Sequence, residues 1–214
     1  MAKFVTPLGK IDVTIIGHAS VLIEWNGRKI MTDPYSEIAD YTRQPVADLI
    51  LITHDHYDHL DTNALKPVTG KDTIIISTPT VARLIPNVKP LRQGESYTYK
   101  ELHITATYAY NIEHRNENGT PFHPKGVGNG YLLDFGGFRL YFAGDTELIP
   151  EMRELGPIDV AFLPKNLPFT MSDDMFIEAV DIIKPCNVCP YHFFQLDVEG
   201  LERRMPEGVK MFIK

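Results

Sequence analysis

The sequence predicts an α/β sandwich, with two β-sheets packed face to face and helices on the outside. Three observations carry that expectation. Short apolar runs rich in Val and Ile recur along the whole chain. Two pairs of runs are joined by the hairpin dipeptides Asn26-Gly27 and Gly136-Gly137. After its hairpin, each half of the chain continues as strand–helix units. Two halves with one pattern imply two similar layers. Each half also ends strands in residues of metal-ligand type, which places a site along one shared edge.

Taken in order, residues 12–16 read as a strand leading to Gly17-His18-Ala19, and residues 20–25 as the next, turning at Asn26-Gly27 into residues 29–32. That strand stops at Asp33-Pro34. Residues 49–52 are a continuous apolar run, as expected for a strand covered on both faces. A short helix around residues 63–66 precedes a strand at 73–77, and residues 101–110 continue the strand series. Residues 111–130 form an irregular loop. Residues 131–135 and 138–142 flank the second hairpin turn, followed by a helical stretch through 152–155 and a strand at 160–163. Ser172-Asp173-Asp174 reads as a helix cap with first-turn acids that complement the helix dipole. Met175, Phe176, Ala179, Val180 and Ile183 then fall on one helical face, with core packing as their role. Lys184-Pro185 ends that helix, and a strand runs from Val188 toward His192. A last helix at 201–205 and a strand at 210–213 complete the chain.

The chain has 214 residues, of which 43% are hydrophobic and 23% charged, the composition of a soluble globular protein with a substantial core. No low-complexity segment or long Pro/Gly linker divides it, so residues 1–214 are expected to form one domain. A net charge of −7 with no block of Lys or Arg lacks the basic footprint of a nucleic-acid binder. No apolar stretch reaches the roughly 18 residues that a membrane span needs. The start, Met1-Ala2-Lys3-Phe4-Val5, has no signal-peptide apolar region. Cys186 and Cys189 form a lone C-x-x-C on a strand, where positions i and i+3 face opposite sides. Buried or half-buried free thiols in a reducing cytoplasm are the expectation.

Chemistry concentrates in Thr53-His54-Asp55-His56-Tyr57-Asp58-His59, an H-x-H-x-D-H cluster directly after the apolar run. Imidazole and carboxylate are ligands that Zn, Mn and Fe accept. If the strand continues through them, His54 and His56 point to one side and share one metal. Asp58 and His59 follow where the chain turns and can be aimed at a second. Further ligands are expected in other strand-end loops, where His123, Asp145 and His192 stand out.

That succession of H-x-H-x-D-H, a lone His, Gly144-Asp145-Thr146 and a lone His resembles the metallo-β-lactamase superfamily of metal-dependent hydrolases, in the same order, from Gly17-His18-Ala19 to His192. The segment 141–146 and the Thr170-Met171-Ser172 turn are most similar to the branch containing L-ascorbate-6-phosphate lactonase and N-acyl-phosphatidylethanolamine phospholipase D. The resemblance implies a four-layer αββα sandwich. It also implies two divalent metals, zinc first, with Mn, Fe or Ni as alternatives. His54, His56 and a loop histidine would hold one, and Asp58, His59 and His192 the other, with Asp145 bridging. Relatives often carry the loop histidine at the end of a strand, where this chain has Ala109-Tyr110-Asn111. His123 and His114 are the two candidates for that place, and the Pro-Lys-Gly context favours His123. His114, with Asn111 and Glu113, then lines the pocket. Asp33 fits a residue that orients ligand imidazoles from behind, and His18 sits where it can do similar work.

Two divalent ions, two carboxylates and a hydroxide leave the centre about +1. Such a site favours an anionic small-molecule substrate or a developing oxyanion. Ions about 3.5–4 Å apart lower the pKa of shared water toward roughly 7, giving a hydroxide that attacks a small ester, lactone or phosphodiester. Asp58 would orient it and carry a proton to the leaving group. Lys165, Asn166 and Tyr191, near the motif segments, are candidate donors to the developing charge. Zinc β-lactamases commonly place Cys where Asp145 stands, the nuclease branch inserts a further domain, and glyoxalase-II-like thioesterases add a helical region; none matches this chain. The alternatives are a non-haem iron redox protein, since the ligands also suit iron, and a sensing module with a structural metal.

Overall fold

In a computed structural model describing residues 1–213, the chain builds two seven-stranded sheets with the same internal pattern. The first holds β1 (Ala2–Thr6), β2 (Gly9–Gly17), β3 (Ser20–Trp25), β4 (Arg28–Thr32), β5 (Ala47–Leu51), β6 (Thr69–Ser77) and β7 (Val88–Pro90), side by side in chain order. The second runs from β8 (Ser96–Tyr99) through β9 (Leu102–Ala109), β10 (Gly128–Asp134), β11 (Arg139–Phe142), β12 (Val160–Pro164) and β13 (Asn187–Tyr191) to β14 (Lys210–Met211). Strands β1–β4 and β8–β11 pair antiparallel, whereas β4–β7 and β11–β14 pair parallel. Each half therefore changes from hairpins to crossover connections at its fourth strand. At the first hairpin, Asn26 and Gly27 both take positive φ (48° and 78°), as a two-residue turn matching the strand twist requires.

The period of two along each strand sorts the side chains into layers. Ile11, Val13, Ile23, Trp25, Leu49 and Leu51 of the first sheet meet Ile104, Tyr131, Leu133, Phe142 and Phe162 of the second in a fully buried interior. Leu22, Met31, Ile50 and Ile75 point the other way, under α1 (Thr62–Val68) and α2 (Val81–Leu84). Leu132, Tyr141, Ala161 and Leu163 lie under α3 (Asp173–Ile183) and α4 (Val198–Arg204). Helices thus cover both outer faces, the αββα arrangement. As expected, Ser172 caps α3 by accepting the Met175 N–H, and Lys184 closes it in the left-handed conformation. Among the described residues no helix is long and apolar enough to cross a membrane.

Five elements escape the sequence reading: β1, an edge strand of mixed polarity, the short β7 and β8, the single turn α2, and a 3₁₀ turn at Tyr41–Arg43. The stretch around 152–155 is a 3₁₀ turn, Pro150–Glu154, rather than α-helix. Cys189 is buried, and burial pushes its thiol up to about 12, whereas Cys186 is exposed, contrary to the expectation of two covered thiols. A thiol reagent should therefore modify one cysteine in the native protein and the second only in denaturant. Two rapid equivalents before unfolding would contradict this packing.

Candidate metal centre

The chemistry-bearing residues gather where strands end. Asp33 follows β4, His54 to His59 follow β5, Asp145 follows β11, Asn166 follows β12 and His192 follows β13. These are the carboxyl ends of strands at or beyond the change from antiparallel to parallel pairing, where open α/β sheets leave a crevice. His18 sits in the β2–β3 turn, and His123 in the loop between β9 and β10. His18, Asp33 and His192 all take positive φ (50°, 35° and 54°), a conformation that non-glycine residues adopt at a cost and that concentrates at functional sites. The His192 N–H donates to the His18 carbonyl at 2.9 Å, fastening the two sheets together there. Gly144, with φ 68°, lets the chain pass so close to β10 that a Cβ would stand 2.6 Å from the Asn129 carbonyl oxygen, and so sets the path into Asp145.

Three overlapping groups result, each with its ligand-type atoms within 4.8 Å of one another: His54, His56 and His123; His54, His59 and Asp145; and His18, Asp58, His59 and His192. Asp145 Oδ2 lies between the two histidine sets, 3.4 Å from His123 Nε2, 3.4 Å from His59 Nε2 and 3.2 Å from His192 Nε2. Asp58 Oδ2 is 3.0 Å from His18 Nε2 and 3.5 Å from His192 Nε2. β5 ends at Leu51, so His54 and His56 meet in the loop beyond it and not by strand alternation; the side chains converge although the expected reason does not hold.

Hydrogen bonds behind the rings fix which nitrogen faces the centre. The buried Asp33 carboxylate accepts from the Thr53 N–H (2.8 Å), the Thr53 hydroxyl (2.7 Å) and His59 Nδ1 (2.9 Å). Because the Thr53 hydroxyl gives its one hydrogen to Asp33, it must accept from His54 Nδ1, 3.0 Å away. On the other side, Asn111 Oδ1 accepts from His123 Nδ1 at 2.7 Å and from the His123 N–H at 2.8 Å. Asn111 is held in turn by donating to Glu147 Oε1 (3.0 Å) and the Phe169 carbonyl (2.9 Å). Glu147, fully buried, also accepts the N–H groups of Ile112, Glu113 and His114, each at 2.7 Å. In His54, His59 and His123 the proton thus sits on Nδ1, and Nε2 points inward.

The electrostatics follow from this crowding. Burial, reinforced by His59, holds His54 well below the usual imidazole range, and burial brings His123 down to about 4. Burial acts on His59 too, but Asp145 and Asp33 override it and raise its pKa well above the ordinary value. Burial would favour a protonated Asp145, yet His192 and His59 keep it ionised far below the carboxylate range; for Asp58, hydrogen bonds with His18 and His192 do the same. His54 Nε2, His123 Nε2 and Asp145 Oδ1 are buried with no hydrogen-bond partner among the described residues. His59 Nε2 and His192 Nε2 face each other at 3.1 Å, a separation two lone pairs do not tolerate without a cation or proton between them. Orphaned acceptors, converging imidazoles and two ionised carboxylates fit divalent metal ions with nitrogen and oxygen ligands.

A cleft of about 270 Å³ opens onto these groups, lined by His56, Asp58, His123, Asp145, Asn166 and His192 together with four aromatic rings. Of the expected substrate donors, Asn166 reaches it. Lys165 does not: its side chain is 13% exposed and its ammonium is held by Asp173 at 2.6 Å. Tyr191 is buried, its hydroxyl accepting the Gly144 N–H at 2.8 Å, and burial raises its pKa well above the ordinary value. Both lie beside the motif in sequence but turn away from it in space. His114 is paired with Glu147 at 2.6 Å and belongs to none of the three groups, so of the two loop candidates His123 is the one at the centre. The sequence reading missed Thr53, Glu147 and the rings of Phe122 and Phe169. Thr53, Phe122 and Glu147 carried a signal, by adjoining His54, His123 and the Gly144-Asp145-Thr146 turn, whereas Phe169 carried none. A larger depression, about 540 Å³, lies on the β1–β4 surface amid charged side chains that pair with one another, Lys3 with Asp12 and Lys29 with Glu24.

The family model described as beta-lactamase superfamily domain matches residues 12–192. A UPF0173 metal-dependent hydrolase of Carboxydothermus hydrogenoformans is 31% identical over 195 residues, which is 86% of this chain and 84% of that protein. Among solved structures, a protein of Parabacteroides distasonis assigned to the metal-dependent hydrolases is similar with a TM-score of 0.94 and 38% identity, over 100% of this chain and 97% of that one. Igni18, a metallo hydrolase of Ignicoccus hospitalis, shares the fold with a TM-score of 0.77 at 24% identity, covering 95% of this chain and 94% of its own.

Proposed function

Because the chain belongs to the beta-lactamase superfamily and is a metal-dependent hydrolase, we propose that its histidines and aspartates hold two divalent cations and cleave a small ester, lactone or phosphodiester. The observation that carries this reading is the place of Asp145 Oδ2, within 3.4 Å of His123 on one side and of His59 and His192 on the other. His54, His56 and His123 would hold one ion and Asp58, His59 and His192 the other, with Asp145 placed to serve both. Zinc is the first assignment, and Mn, Fe and Ni suit the same donors. When bound, such a pair lowers the pKa of water toward about 7 and polarises the oxygen of the bond under attack.

The remaining work falls to the chain itself. Asp33, Thr53 and Asn111 keep Nδ1 of three imidazoles protonated, so that Nε2 is the ligand atom. The Asp58 side chain is 18% exposed toward the cleft and is steadied by His18. It is placed to accept the proton of the attacking water and return it to the leaving group. The Asn166 amide, on the cleft wall, is a protein donor available to the negative charge that develops. The resemblance to the lactonase and phospholipase branch supports lactone and phosphodiester bonds as targets. The free thiols support a reducing compartment such as the cytoplasm.

Elemental analysis paired with hydrolysis of bis(p-nitrophenyl) phosphate and simple lactones tests the reading. About two ions per chain and turnover that vanishes on chelation and returns on reloading are expected. One tightly held ion without turnover would overturn it in favour of a redox or sensing role.

A further inference from the structure

The cleft over the His/Asp groups is walled by Tyr57, Phe122, Phe169 and Phe194. Phe122 and Phe169 meet edge to face, ring centroids 4.9 Å apart, and form one wall. Tyr57, Phe169 and Phe194 are 73%, 39% and 79% exposed. Single exposed apolar residues are ordinary, but several large rings converging on one mouth are not, and such patches mark ligand sites.

The same wall lacks positive charge: among the described residues lining it there is no Lys or Arg. The cations nearest in sequence are engaged elsewhere. Lys165 is held by Asp173, and Lys125 by Glu151 at 2.5 Å while lying over the rings of Tyr108 and Tyr110. Arg115 donates to the carbonyls of Gly119 and Ile112. A sugar phosphate, nucleotide or dicarboxylate would bring a second anionic group beyond the reacting bond. It would find only Asn166, the Tyr57 hydroxyl and aromatic faces there, and lose hydration without a charged partner.

Resting on the hydrolase reading above, we propose that the substrate carries an uncharged aryl or alkyl group beside its scissile bond, and that Phe122, Phe169, Phe194 and Tyr57 select it. The ionic demand of the centre is met by the reacting carbonyl or phosphoryl oxygen alone. The rest of the molecule packs against the rings, where each fully buried methylene is worth roughly fourfold in affinity.

The test uses product-like carboxylates on the metal-loaded chain, measured by calorimetry, beside turnover of matched lactones. Phenylacetate or octanoate is expected to bind at least about tenfold more tightly than succinate or acetate. A γ-lactone bearing a pentyl tail should show a kcat/KM at least about tenfold above γ-butyrolactone. Phe169→Ala and Phe194→Ala together should erase both preferences, raising KM for the pentyl lactone while metal content stays unchanged. Succinate binding as tightly as octanoate, or a double variant that keeps the preference, would overturn the inference. Retained binding preference with no hydrolysis of any ester, lactone or phosphodiester would sustain the aromatic site and overturn the hydrolase reading instead.

Discussion

Replacing Asp145 by alanine is expected to lower turnover by well over 100-fold and to remove at least one of two metal equivalents. Losing an outer hydrogen-bond partner of a metal ligand already costs about 10–100-fold, and Asp145 in the proposed centre is a ligand that both ions would share. Its carboxylate is buried, is held ionised by His192 and His59, and occupies the space between the two histidine sets. Without it, the imidazoles of His59, His123 and His192 lose the one anion that, among the described residues, stands near all three. Asp145→Asn keeps the shape and should fail nearly as badly, because charge and not volume is what the centre lacks. Far-ultraviolet circular dichroism and elemental analysis on each variant check the result. Full loading with wild-type turnover would refute the assignment of this carboxylate.

Asn111→Ala should weaken the ion held by His54, His56 and His123 by about 10–100-fold while leaving the other in place. Glu147 fixes the Asn111 amide so that Oδ1, not Nδ2, faces His123, and Oδ1 then keeps the His123 proton on Nδ1. With a methyl in its place, the ring is free to rotate and to present either nitrogen. Chelator competition should then strip one ion per chain well before the second. Glu147→Gln should give a smaller effect of the same kind, because a glutamine at that position can still accept from part of the Ile112 to His114 backbone. Equal weakening of both ions, or none, would contradict the brace.

Residue types were legible where chemistry is dense and local. The spacing of His54, His56, Asp58 and His59 is visible in one line of sequence, and so are the two hairpin dipeptides that organise the halves. Which residue faces which was not legible where the backbone breaks its period. His54 and His56 lie past the end of β5, so their side chains converge in the loop and not by strand alternation. Lys165 and Tyr191 follow or end strands that point at the centre, yet one side chain is drawn off by Asp173 and the other is turned into the sheet interface. Glu147 adjoins the Gly144-Asp145-Thr146 turn, but only the fold of the 111–114 loop around it reveals five contacts on a fully buried carboxylate. At the termini and edges, β1, β7 and β8 are too short or too polar for a periodic signal.

The repeated pairing pattern of the two sheets has a mechanical consequence. Each of the three ligand-type groups takes its members from both halves: His123, Asp145 or His192 from the second, the others from the first. An ion bound there is a clasp across a seam. By thermodynamic linkage, whatever free energy the ion gains from the joined halves, the halves gain from the ion. Cutting the chain in the connection between β7 and β8 would turn that clasp into a measurable association constant. Two fragments that reassociate more tightly as metal is titrated in would report, without any substrate, how strongly the centre pulls the two sheets together.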